Sequence, residues 1–107
     1  MKEIKAVVQA GKLLAIREAL VEMAGFPGMT VTHAEGCSPA TAHTGRPLSI
    51  REELTEFSPK VRIEIVAPDE IVDTIIQIIR ELAHTGRTGD GVVWVTQVEE
   101  FHRLRGD

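Results

Sequence analysis

Residues 60–98, KVRIEIVAPDEIVDTIIQIIRELAHTGRTGDGVVWVTQV, change hydrophobic period twice, and those two changes decide the fold. From Lys60 to Ala67 the apolar Val61, Ile63 and Ile65 alternate with Arg62, Glu64 and Val66, the period of a strand with one buried face. Pro68-Asp69-Glu70 then reads as a helix start. Proline suits the first turn, and acidic groups complement the positive end of the helix dipole. Ile71, Ile75, Ile79 and Leu82 supply a buried stripe at helical spacing, and after Thr85–Gly91 the run Val92 to Val98 returns to a strand. The segment is a β-α-β unit.

The upstream half repeats this order. Lys2 to Ala10 alternates, with Ile4, Ala6 and Val8 on one side and Lys5, Val7 and Gln9 on the other. Lys12 to Met23 changes to helical spacing through Leu13, Ile16, Leu20 and Met23, and Gly25-Phe26-Pro27-Gly28 ends it. Met29 to Glu35 alternates again, with β-branched Thr30, Val31 and Thr32 favouring extended chain. Two such units in succession predict an α+β, ferredoxin-like β-α-β-β-α-β sandwich with both helices on one sheet face. The other face needs cover, and packing against copies of the same chain would provide it.

Between the halves, residues 36–59 form a connection far longer than the usual few residues, a length that in small domains goes with function or disorder. Ser49 followed by Glu52 resembles a capping box, and Ile50, Leu54 and Phe57 recur at helical intervals. A short helix over Ser49–Phe57 and an extended arm that folds against a partner both remain open.

At 107 residues the chain has room for one domain and one core. Its 43% hydrophobic and 26% charged residues are those of an ordinary soluble protein, and a formal net charge of -4 gives no global attraction to nucleic acid or anionic membrane. No stretch approaches the roughly 20 apolar residues of a membrane span, and the N-terminus has no targeting pattern, so a cytoplasmic protein is expected. The single Cys37 excludes an internal disulfide and suits a reducing compartment.

Any anion site must therefore be local, and the glycine-rich Thr85-Gly86-Arg87-Thr88-Gly89-Asp90-Gly91 is the candidate. Three glycines in six residues allow successive amides to surround a phosphate. Spacing alone leaves a plain helix-to-strand connection equally open. No nucleophile with an adjacent base is evident, which points to binding without turnover.

These residues, together with Met1–Val8, Lys12-Leu13, Arg17-Glu18-Ala19-Leu20, Gly28–Thr32, Phe57–Val66 and Arg103-Leu104-Arg105-Gly106, carry a resemblance over nearly the whole chain. The chain resembles the PII family of signal-transduction proteins, which report nitrogen, carbon and energy status. The resemblance implies a homotrimer of ferredoxin-like subunits. It also implies adenine nucleotide (ADP, ATP or AMP) in clefts between subunits, and a long loop, here 36–59, that contacts a membrane transporter or metabolic enzyme.

By the same resemblance, Gly86, Arg87, Gly89, Asp90 and Gly91 form the phosphate loop, and Arg103 and Arg105, in a tail over residues 99–107, supply further phosphate contacts. Guanidinium forks suit phosphate oxygens, and alternate residues of an extended segment point the same way. Lys60 matches a lysine at the base of the long loop that contacts phosphate or a carboxylate effector. Glu64, Val66, Val7 and Gly36 match the wall of the base pocket, and Thr30 matches a threonine reaching it from the adjoining subunit.

The chain departs from the family at informative places. Val92 stands where a phosphate-directed lysine is usual, which removes a cation and weakens the case for triphosphate. Cys37-Ser38-Pro39-Ala40-Thr41 replaces a segment whose glutamine helps magnesium hold 2-oxoglutarate, which weakens the case for 2-oxoglutarate and leaves magnesium open. With no tyrosine in the chain, uridylylation of a loop tyrosine is excluded, leaving Ser49 as a weak candidate for phosphorylation.

Divergent PII-like proteins are associated with inorganic-carbon or heavy-metal transport, which frames two alternatives. His33, Cys37 and His43 near the loop entrance have metal-ligand chemistry without a zinc spacing, so a metal-binding module linked to heavy-metal efflux is one. A trimer that has lost its nucleotide is the other. A nucleic-acid partner is not expected, since the chain lacks a continuous basic, aromatic-rich stretch.

Overall fold

The computed structural model describes residues 1–37 and 57–106. Strand β1 covers Lys2–Gln9, and a 3-10 turn over Ala10–Lys12 leads into helix α1, Leu13–Glu22. Strand β2 is Thr30–Cys37, β3 is Phe57–Ala67, helix α2 is Asp69–Ala83 and β4 is Gly91–Gln97. The strands form one sheet in the order β2-β3-β1-β4, with every neighbouring pair antiparallel. This is the ferredoxin-like order expected from two β-α-β units.

The alternation in β1 and β3 translates directly into burial. Ile4, Ala6, Val8, Val61, Ile63, Ile65 and Ala67 point under the helices and are closed to solvent. Onto them pack Ile16 and Leu20 of α1, and Val72, Ile75, Ile79 and Ala83 of α2. Each fully buried isoleucine or leucine here contributes roughly 1.5–3 kcal/mol relative to exposure.

The core line of α2 departs from the expected stripe at its two ends. Ile75 and Ile79 are buried as read, but Ile71 and Leu82 are only half-buried and flank the core, while Val72 and Ala83 complete its centre. Ile75-Ile76-Gln77-Ile78-Ile79 places isoleucine on more than one helical line, so the pattern does not fix the rotation. Pro68 lies just outside α2 in extended conformation, and Asp69 and Glu70 occupy the first turn.

Strand ends moved more. The β2–β3 ladder continues through Gly36↔Ser58 and Cys37↔Phe57, so residues 36–37 and 57–59 at the two ends of the expected connection are strand. Glycine, proline and serine there look like loop signals, yet hairpin pairing absorbs them. Phe57 opens a strand, so it is not the last residue of a helix, and the remainder of the Ser49–Phe57 reading lies outside the described residues.

The second sheet face carries Glu3, Lys5 and Val7 of β1 against Arg62, Glu64 and Val66 of β3 and Val92, Trp94 and Thr96 of β4. It is half-exposed and mixes charges with apolar groups, and β4 is open, with Val92 61% and Trp94 41% exposed.

Candidate functional site

Sheet register sorts the sequence-selected residues into two groups. At one end β1 finishes at Gln9 opposite Lys60, β2 passes Ala34 opposite Lys60, and β4 begins at Gly91 opposite Val8. The glycine loop, Lys60 and Gly36 meet there, with Val7 one row inward opposite Arg62 and Val92. Farther along, Glu64 lies between Thr30 and Lys5, and Val66 lies opposite Glu3. Six residues of strand separate Lys60 from Val66, about 20 Å. The tail starts at that far end, where the Val98 amide donates to the Met1 carbonyl.

The glycine loop is shaped from within. The Asp90 carboxylate accepts the Thr85 amide at 2.7 Å, the Gly86 amide at 2.9 Å and the Thr85 hydroxyl, while the Arg87 amide donates to the Thr85 hydroxyl oxygen at 3.3 Å. Asp90 therefore ties the first turn of the loop and takes two of its amides. What the loop can still offer an anion is its later amides and the exposed Arg87.

A second tether holds the other turn. Lys60, 8% exposed, donates its ammonium to the Gly89 carbonyl at 2.5 Å, and the Gln9 amide nitrogen donates to the same oxygen at 3.3 Å. The aliphatic stem of Lys60 packs on Gly36, where an added Cβ would lie 2.9 Å from its Cγ. The lysine thus links the stem of the long connection to the loop. Beside it lies a groove of about 470 Å³ lined by Gln9, Gly11, Ser58, Lys60, Thr88 and Gly89.

Asp90 is held down at about 2, by the Thr85 hydroxyl most of all and then by the Thr85 amide, against an opposing desolvation, and the Gly86 amide and His84 add smaller amounts. Because folding lowers this pKa, the contribution of the tie is complete above the ordinary aspartate range near pH 4 and is lost as pH falls through about 2. Asp90→Ala removes the acceptor for three donors. At neutral pH it is expected to raise hydrogen exchange at the Thr85 and Gly86 amides about tenfold or more. Unchanged exchange would show that the loop is held by something else.

Arg103 and Arg105 do not sit on one extended segment. The Gly106 amide donates to the Arg103 carbonyl at 3.0 Å, closing a turn through Leu104 and Arg105. The arginine alternation did not anticipate Gly106, whose positive φ of 96° suits such a turn. The Arg103 guanidinium lies 5.2 Å from the centre of the Phe101 ring. Glu64 is half-buried, with a carboxylate oxygen 3.8 Å from Arg62.

His33 and Cys37 both lie on β2 and are exposed, four strand residues or about 13 Å apart, too far for one ion. His43 lies outside the described residues. Among the described residues no cluster of three or more histidine, cysteine, aspartate or glutamate side chains could hold a metal, and the metal-binding alternative gains no support. Gln9 and His84 are neighbours of the loop that the sequence pattern does not single out. Gln9 was one polar residue in an alternating strand, and its partner at Gly89 is 80 positions away.

Fold and loop together define an α+β domain of the ferredoxin-like class, with a glycine turn and a long hairpin connection at the same end of its sheet. Residues 1–107 match the family described as Nitrogen regulatory protein P-II. The chain is 44% identical over 105 residues to the Nitrogen regulatory protein P-II of Azospirillum brasilense, covering 98% of this chain and 92% of that one. It is 42% identical to its counterpart in Rhizobium meliloti (strain 1021) and 44% identical to Nitrogen regulatory protein P-II 1 of Escherichia coli (strain K12), with the same coverage. The chain belongs to the P-II family of nitrogen regulatory signal-transduction proteins. Among the described residues no helix is long and apolar enough to cross a membrane.

Proposed function

We propose that this chain is a nonenzymatic, cytoplasmic sensor of adenine nucleotide. It binds ADP, ATP or AMP in clefts between the identical subunits of a homotrimer, and it signals occupancy to a transporter or metabolic enzyme through the long connection. The observation that carries this reading is the separation of two half-sites on one chain. Gly36, Lys60 and the Gly86–Gly91 loop lie at one end of the sheet, Val7 and then Glu64 with Thr30 follow inward, and Val66 and the start of the tail at Val98 lie toward the other end. Two different surfaces that complete one site make a head-to-tail contact, and such contacts close into rings.

In that arrangement the later loop amides and Arg87 of one subunit face the polyphosphate, with Arg103 and Arg105 of the next closing over it. Asp90 and Lys60 act by fixing the loop. Lys60 also bridges loop and stem, so a ligand that displaces Gly89 also acts on the long connection. Nucleotide shifts the connection only by preferring one of its conformations. With Val92 apolar, ADP is expected to bind at least as tightly as ATP.

Equilibrium dialysis with labelled ADP and ATP, alongside sedimentation, tests the reading. The expected result is one nucleotide per chain and the mass of three chains. A monomer, or a trimer indifferent to millimolar adenylates, would contradict it.

A further inference from the structure

The Gly89 carbonyl is held by two side chains from two strands. Gln9 and Lys60 face each other as the pair that ends the β1–β3 ladder. The Gln9 amide nitrogen donates to that oxygen at 3.3 Å and the Lys60 ammonium at 2.5 Å. A carbonyl oxygen has two lone pairs, so the two bonds saturate it. Gly89, with φ of 99°, turns the loop together with Thr88, and these bonds fasten that turn to the end of the sheet.

The two donors differ in what else can claim them. The Gln9 amide is neutral. Lys60 carries a full charge, is 8% exposed, and spends it on the neutral Gly89 oxygen. It lines the groove of about 470 Å³ beside Ser58 and Thr88, and among the described residues of that groove it is the one cation. An ammonium gains more from a phosphate oxygen than from a carbonyl, because opposite charges attract and burial weakens the screening. An anion in this groove therefore competes with Gly89 for Lys60, while the neutral Gln9 has no charge to draw it away.

We propose that Gln9 is the positioning residue that keeps the Thr88–Gly89 turn fastened to the sheet when phosphate draws the Lys60 ammonium off the Gly89 carbonyl. The inference rests on nucleotide phosphate binding at the glycine loop, and it gives the two donors different parts: Lys60 moves and Gln9 stays. Without Gln9 the same move strips the carbonyl of both side-chain donors, just when the loop has to present its amides to the ligand. Because the Lys60 stem packs on Gly36, its movement registers at the base of the hairpin.

The test is a double-mutant cycle on the full-length chain, with Gln9→Met, Lys60→Met and the two combined, read by equilibrium dialysis with labelled ADP. Methionine keeps an unbranched stem in both places and removes only the donor. Gln9→Met alone is expected to weaken ADP about fivefold, the loss of one net hydrogen bond in the bound state. In the Lys60→Met background it is expected to change affinity less than twofold, because there the carbonyl has the same donors with and without ligand. An equal effect, or none, in both backgrounds would overturn the inference. So would a loss seen only once Lys60 is gone, which would make the two side chains interchangeable tethers. A crystal of the wild type with ADP reads the same step without any substitution, and decides it should Lys60→Met fail to fold. The Gln9 amide is expected on the Gly89 carbonyl and the Lys60 ammonium on a phosphate oxygen. Lys60 still on Gly89 with ADP bound would overturn the role of Gln9 and leave the nucleotide reading standing. Failure of the wild type to bind ADP would overturn both.

Discussion

Gly91→Ala is expected to lower the stability of the chain by about 3 kcal/mol or more, or to prevent folding, because no small adjustment makes room for the new methyl group. Gly91 has φ of 110°, and a Cβ there would lie 1.9 Å from the Val7 carbonyl oxygen and 3.1 Å from the Val8 Cα. Both are backbone atoms of the central strand β1, whose buried Val8 is part of the core. Relief therefore requires β4 to separate from β1 at its first pair, Gly91↔Val8, or the residue to leave a conformation that only glycine adopts at low cost. Urea unfolding followed by the single Trp94 on β4 measures the effect. Gly11→Ala is the control, since nothing lies within 4 Å of a Cβ at Gly11 and its φ is not positive. A midpoint for Gly91→Ala equal to that of the control would contradict the assigned geometry.

The second large effect is on binding. Replacing both Arg103 and Arg105 by alanine is expected to weaken ADP about a hundredfold. Each charge-assisted hydrogen bond to phosphate contributes roughly 1.5–3 kcal/mol, and partial compensation by Arg87 reduces the sum. Both residues are exposed, and the Arg103 guanidinium rests on the Phe101 ring. The double variant is expected to keep its assembled mass while dialysis with labelled ADP shows the loss. Unchanged affinity would remove the tail from the site.

The helix and strand order was legible because this chain alternates cleanly where one sheet face is buried. Ile4, Ala6 and Val8, with Val61, Ile63 and Ile65, leave no other register for β1 and β3. The glycine loop was legible as a loop, but its internal wiring was not. An aspartate beside glycines looks the same whether its carboxylate faces a ligand's cation or its own amides, and only the folded loop turns Asp90 toward Thr85 and Gly86. Lys60 was expected to meet phosphate or a carboxylate effector, and here it is buried on the Gly89 carbonyl, a partner 29 residues away that no local pattern reveals. The hairpin stem hid for a different reason. Gly36, Ser58 and Pro59 carry loop chemistry, and pairing with neighbours made them strand. The extended reading of Arg103 and Arg105 failed because the turn depends on Gly106, outside the pattern that suggested it.

The central claim is that one chain holds two complementary halves of a nucleotide site and completes it only with a neighbour. A crystal structure grown with ADP tests this most directly. The account predicts density at a seam between subunits, the phosphates lying between the Gly86–Gly91 loop of one protomer and Arg103 and Arg105 of the next. Phosphates held wholly within a single protomer, away from those arginines, would contradict it.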